Sequence, residues 1–188
     1  MTKMKLLPLL LLPLLLISCA TQSVPTGSGL PKNHDQARVV LAKRILQMPN
    51  QIQLMSRHVS GRRDNATAYK NMVSTAGGWS AARSSYAKAP GGYVKLQPAM
   101  LYGMIALANQ GYSYQVSELA GGGHSRNSRH YDGVAVDICY INGVKVNYRN
   151  PYYRSLMRAA RKLGATEVYG PGDRGHSGHV HIAWPRPY

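Results

Sequence analysis

Apolar side chains recur at helical spacing from Gln36 to Met48 (QARVVLAKRILQM), with Asn33 or Asp35 placed to cap the start and Pro49-Asn50 to stop it. Asp64 to Ala76 carries a weaker helical pattern closed by Gly77-Gly78. Gln97 to Gln110 (QPAMLYGMIALANQ) carries a stronger one, with Pro98 suited to a first turn and Gly111 to a C-terminal stop. Beyond Gly111 the period changes. Tyr112 to Leu119 alternates as a strand does, and Gly121-Gly122-Gly123 breaks it into a loop. Gly133 to Ile141 is a β-branched apolar run, Asn142-Gly143 predicts a two-residue hairpin turn, and the chain returns through Val144-Lys145-Val146. Pro151 to Leu163 predicts a helix stopped by Gly164, and Thr166 to Tyr169 a short strand. A Gly-rich loop, Gly170 to Gly178, leads into a closing strand from His179 to Trp184. There is no internal repeat. Helices first, then a hairpin, a helix and two strands predict an α+β fold: one small antiparallel sheet with helices packed on it.

Upstream of the first helix the texture is that of an export signal. Lys3 and Lys5 precede an apolar run, Leu6 to Ile17. At about twelve residues it falls short of the roughly twenty that a membrane-crossing helix needs. Leu16-Ile17-Ser18-Cys19-Ala20 resembles a bacterial lipobox, in which the cysteine becomes the lipidated first residue after cleavage. Residues 1–18 are therefore expected to be a lipoprotein signal peptide, and 19–32 the lipidated Cys19 with a flexible tether rich in Ser, Thr, Gly and Pro. Residues 33–188 form a single domain whose chemistry lies in 118–188. The expected location is the bacterial cell envelope, lipid-anchored to a membrane. Ala20 suits the periplasmic face of the outer membrane if the cell is diderm. A monomer is expected. With Cys19 lipidated, Cys139 has no partner within the chain, which leaves a small buried core residue and neither a disulfide framework nor a cysteine metal site.

The charge is strongly basic, 23 Lys+Arg against 7 Asp+Glu and net +16. Loss of Lys3 and Lys5 with the signal leaves 21 against 7, or +14. Such a surface attracts polyanions. For an exported protein those are wall polymers and acidic lipid head groups rather than nucleic acid, and the basic residues are scattered rather than clustered.

Four polar residues are out of keeping with plain strand chemistry. His130 precedes the apolar strand and Asp137 lies within it, where an unpaired carboxylate would be costly. His179 and His181 stand one residue apart on the last strand and so share a face. A buried acid and several imidazoles on one sheet face can build a zinc site with two or three N/O ligands and an open position. His34, His58 and His124 are read as ordinary hydrogen-bonded residues. His124 and His176 flank the site in Gly-rich loops, and His176 could touch substrate.

Ser128 to Asp137 (SRHYDGVAVD) fits S-x-H-x-x-G-x-A-x-D at every specified position. This segment resembles the first metal motif of the D-Ala-D-Ala metallocarboxypeptidases and murein endopeptidases, which share a fold with hedgehog signalling domains. His179-Val180-His181 resembles their second motif. The likeness covers roughly the second half of the chain. It implies a hedgehog/DD-peptidase-like fold, a Zn2+ cofactor held by His130, Asp137 and His181, and a catalytic role for His179 beside the metal. It implies activity on peptide bonds involving D-amino acids in peptidoglycan, as carboxypeptidase or endopeptidase. Ser128, Arg129, Glu118 and His176 are candidate substrate contacts, although Glu118 could instead pair with Arg126 or Arg129. Gly133 and Ala135 are expected to be small because the strand lies close to the metal. In one respect the chain departs from the pattern: close relatives carry a glutamate base, and no acid lies within three residues before His181. Glu167 and Asp173 are the nearest acids. A catalytically inactive zinc-binding wall lipoprotein, and a basic anion-binding lipoprotein with structural histidines, are the competing readings.

Overall fold

The computed structural model describes residues 31–186; the expected signal peptide, Cys19 and most of the expected tether lie outside the described residues. Asn33 caps helix α1 (His34–Leu46), its side chain accepting from the Asp35 and Gln36 N–H groups. Asp35 in the first turn and Lys43 and Arg44 in the last complement the helix dipole. The chain then forms β1 (Ile52–Leu54), α2 (Ala68–Ala76), a pair of two-residue strands β2 (Ala81–Ala82) and β3 (Tyr93–Val94), and α3 (Pro98–Asn109). Next come β4 (Tyr114–Glu118), a 3-10 helix (Arg129–Asp132), β5 (Ala135–Ile141) and β6 (Val144–Lys145). Helix α4 (Tyr153–Lys162), β7 (Glu167–Tyr169) and β8 (Val180–Ala183) complete it. These elements belong to one compact unit, Pro31–Tyr188.

Strands β1-β4-β5-β8-β7 run side by side, with β6 paired to β5. The mixed α+β class follows the hydrophobic pattern, but two expectations are corrected. The sheet is not purely antiparallel, because β1 pairs with β4 in parallel. A second sheet, β2-β3, stands apart from it. None of these three strands exceeds three residues, too few to show a period. The weak helix expected from Asp64 starts at Ala68, with Thr67 as its cap. The side chain of Asp64 is engaged instead with His58, Ser84 and the Ala66 N–H.

The core lies between the sheet and the helices. Helix α1 packs on α2 and α3, and α4 on α3, β7 and β8. Strand β5 is buried at every residue but Tyr140, which explains its continuous apolar run in place of alternation. Gly103 of α3 makes room for Trp184: a Cβ there would lie 2.1 Å from the indole Cζ2.

Gly133 has a different reason to be glycine from the one its motif suggests. It terminates the 3-10 helix in the left-handed region, φ 70°, and a Cβ there would stand 2.5 Å from the Lys95 carbonyl oxygen. The crowding comes from the backbone of Lys95 and Leu96, just before α3. Gly133→Ala combines a left-handed strain with a backbone clash and is expected to cost about 3 kcal/mol of stability. Urea unfolding checks this, and an unchanged midpoint would contradict the packing.

Candidate metal centre

Strand register assembles the site. It pairs Glu118 of β4 with Asp137 of β5, Asp137 with His181 of β8, and His181 with Tyr169 of β7. Residues directly opposed across strands share a face, so these four side chains form one row. All four line a cavity of about 1250 Å³. Two residues along, Ala135 opposes Ala183, which opposes Glu167. A register irregularity in β4 beside Val116 re-aims its end, so that both Ser117 and Glu118 reach the cavity.

His130 enters the row from the 3-10 helix. Ser128 caps that helix, its hydroxyl oxygen accepting the His130 backbone N–H at 3.3 Å. The His130 ring is fully buried, and its Nδ1–H donates to the Leu119 carbonyl at 2.5 Å. That bond sets the tautomer and turns Nε2 toward the cluster, the usual support for a metal-binding imidazole. Nε2 lies 3.1 Å from His181 Nδ1 and 3.1 Å from Asp137 Oδ1, and His181 Nδ1 lies 2.9 Å from the same oxygen. Three donors from separate segments thus form a triangle with edges near 3 Å. Burial opposes the charge on Asp137, but the neighbouring His130 and His181 hold its carboxyl well below the usual range. Burial also works against a charged His130, and Asp137 outweighs it, raising the imidazole.

His124, His130 and Asp137 also place ligand atoms within 4.8 Å of one another, a cluster that could hold a metal ion. His124 stacks on His130, ring centroids 4.0 Å apart and planes 11° from parallel. Its Nε2–H donates to the Gly121 carbonyl at 3.0 Å, so the loop hydrogen bond foreseen for it is present as well. Burial and the His130 charge push its pKa down to about 3.

His179 stands just before β8, partly open to solvent, with Nε2 at 3.7 Å from Asp137 Oδ2. Burial lowers its pKa. The His176 ring lies 5.0 Å from that of His179 and 5.1 Å from Tyr169, on the same wall of the cavity. Arg129 is committed to Glu167 through a 2.5 Å Nε···Oε1 contact, and the second Glu167 oxygen lies 3.9 Å from His181 Nε2. Asp173 accepts the Gly170 N–H and ties off its own loop. Cys139 is buried and free, as expected, though it also touches the cavity wall.

The pairing foreseen for Glu118 is corrected: its carboxylate binds neither Arg126 nor Arg129, but His58. His58 Nδ1 lies 2.8 and 2.9 Å from the two Glu118 oxygens, and Nε2 lies 2.6 Å from Asp64 Oδ1. The reading of His58 as a hydrogen-bonded buried residue holds, while its position behind the site was not visible in sequence. The Glu118 hydrogen bond, with Asp64 adding and burial opposing, raises His58 to about 9. A folded pKa above the unfolded value near 6.5 stabilises fully below that value and is lost as pH rises through 9. The expected loss is roughly 3 kcal/mol between pH 6 and 10. Urea midpoints across this interval should fall for the wild type and not, or much less, for His58→Gln. Parallel profiles would refute a charged His58.

No family model, curated protein or solved structure matches this chain. Among the described residues, no helix is long and apolar enough to cross a membrane.

Proposed function

We propose that this chain is a zinc-dependent peptidase of the hedgehog/DD-peptidase-like fold, exported and held at the bacterial envelope through a lipid on Cys19. Its substrates are peptide bonds involving D-amino acids in peptidoglycan stem peptides or cross-links. The observation that carries this reading is the triangle of His130 Nε2, Asp137 Oδ1 and His181 Nδ1, with edges of 2.9 to 3.1 Å, whose Asp137 and His181 corners line the cavity. The motif S-x-H-x-x-G-x-A-x-D supplies two of its corners.

The donor set suits zinc. N and O ligands at about 2.0 to 2.2 Å in a tetrahedral site stand about 3.3 Å from one another, close to the spacing here. Two imidazoles and one carboxylate would leave a further ligand position open, and the Asp137 and His181 corners line the cavity. His181 is a better third ligand than His124. The His124 ring is stacked on His130 and its Nε2–H is held by the Gly121 carbonyl, whereas His181 Nδ1 faces both His130 Nε2 and Asp137 Oδ1.

Zinc held there would supply a Lewis acid that polarises the scissile carbonyl and makes water nucleophilic near neutral pH. The chain's own residues do the rest. Of the nearby acids, Glu167 is engaged with Arg129 and Asp173 with the Gly170 N–H, and Glu118, held by His58, stands across Asp137 from His181 and His179. His179, beside Asp137 and open to the cavity, remains to take the proton from attacking water and return it to the leaving amine. The mouth of the cavity carries Arg57, Arg62, Arg63, Lys145 and Arg174, which favour the carboxylate-bearing peptides of the wall.

The test is zinc content together with product release. Protein purified without added metal should carry about one zinc per chain and release peptides from purified murein. Zinc without products from any wall chemotype would mean a scaffold that has lost catalysis. Absence of zinc would mean a basic lipoprotein with structural histidines.

A further inference from the structure

Behind the row of site residues lies a second polar cluster that the peptidase chemistry does not use. His58 is sandwiched between two carboxylates, Glu118 on Nδ1 and Asp64 on Nε2. Carboxylates accept and do not donate when ionised, so both ring nitrogens carry protons and one imidazolium serves two acids. Asp64 is saturated: Oδ1 accepts from His58 and the Ala66 N–H, and Oδ2 from the Ser84 hydroxyl at 2.6 Å. Ser84 in turn accepts the Gly122 N–H at 3.0 Å, which pins the loop after β4.

Glu118 is not saturated. Both its oxygens share the single His58 N–H, in a side chain only 10% exposed. The remaining acceptor positions lie at the cavity, which Glu118 lines beside Asp137. Among the described residues no Lys or Arg forms an ion pair with either acid, in a chain of net charge +16. A buried carboxylate with acceptor positions left unfilled at a cavity calls for a donor from outside.

Resting on the peptidase reading, we propose that Glu118 is a specificity residue that binds a primary ammonium carried by a substrate side chain near the scissile bond. An ammonium brings three N–H donors, and its charge strengthens their bonds to a carboxylate. Opposed residues on neighbouring strands lie about 5 Å apart, so an ammonium on Glu118 sits one strand from the Asp137 corner of the metal triangle. The substrate class is thus wall peptides that carry a free primary amine on a side chain near the bond cut. Arg57, Arg63, Lys145 and Arg174 at the mouth attract the peptide's carboxylates and would repel its ammonium; Glu118 is the acceptor that overrides them.

The probe is a stem pentapeptide with lysine at the third position, its ε-amine free or N-acetylated, offered to the full-length zinc-loaded protein in detergent. Calorimetric binding and hydrolysis are read on the same samples. The wild type should bind the free-amine peptide about tenfold more tightly than the acetylated one, and Glu118→Gln should bring that ratio to about one. Glu118→Asp should keep part of the preference. A merely structural role for Glu118 would weaken both peptides alike and leave the ratio intact. Equal wild-type affinities, or a ratio unchanged in Glu118→Gln, would overturn the inference. The wild-type comparison alone decides it should the variant not fold. Selective binding without any hydrolysis would support Glu118 and count against the peptidase reading; hydrolysis without selectivity would do the reverse.

Discussion

His181→Ala should purify without zinc and release nothing from murein. The substitution removes one of three donors, leaving His130 Nε2 and Asp137 Oδ1, which are 3.1 Å apart. Loss of a supporting residue around a metal costs about 10- to 100-fold in affinity; loss of a ligand should exceed that. His124→Ala is the informative partner. His124 belongs to the alternative cluster with His130 and Asp137, but its ring is parallel to His130 and its Nε2–H is held by the Gly121 carbonyl. It should therefore keep about one zinc per chain. Metal analysis after dialysis against a weak chelator separates the two. If His124→Ala loses the ion and His181→Ala keeps it, the third ligand has been misassigned.

His179→Ala should show the opposite behaviour, with zinc retained and turnover reduced by about 10² to 10⁴, the range for a lost general base. Its Nε2 stands 3.7 Å from Asp137 Oδ2, too far for a hydrogen bond in the resting structure, and its ring is reachable from solvent. Catalytic hydrogen bonds of this kind tighten only with substrate in place. The effect should fall on kcat with little change in substrate binding, measured on one defined stem peptide. A variant that turns over at the wild-type rate would move the base elsewhere. Glu167 is the next acid in reach, 3.9 Å from His181 Nε2, though Arg129 already neutralises it.

The two corners of the triangle from one segment, His130 and Asp137, could be read from sequence because seven residues of chain fix their separation. A turn of 3-10 helix, a left-handed glycine and the first residues of β5 place them with few alternatives. His181 was readable through its His-x-His spacing, which puts both imidazoles on one side of the last strand. The support was hidden. His58 and Glu118 are 60 residues apart, Asp64 and Ser84 20, and Arg129 and Glu167 38. Nothing local in SRHVSG marks His58 as the partner of an acid at the end of β4. Glu118 was visible as a scarce acid near a loop, and an arginine was the natural guess in a chain so rich in them.

Sequence alone determined the helices α1, α3 and α4, the β5-β6 hairpin with its Asn142-Gly143 turn, and the residue types of the metal motif. Each is set by interactions within a dozen residues: side-chain period, caps, and glycine or proline at a turn. Tertiary structure alone decided that β1 lies parallel to β4, that Glu118, Asp137, His181 and Tyr169 form one row, and that an imidazolium sits between Glu118 and Asp64. Those depend on strand register and on which buried polar group must find a partner after the chain has collapsed. Desolvation makes an unpaired buried group costly wherever it lies, and it leaves no mark on the local pattern of the sequence.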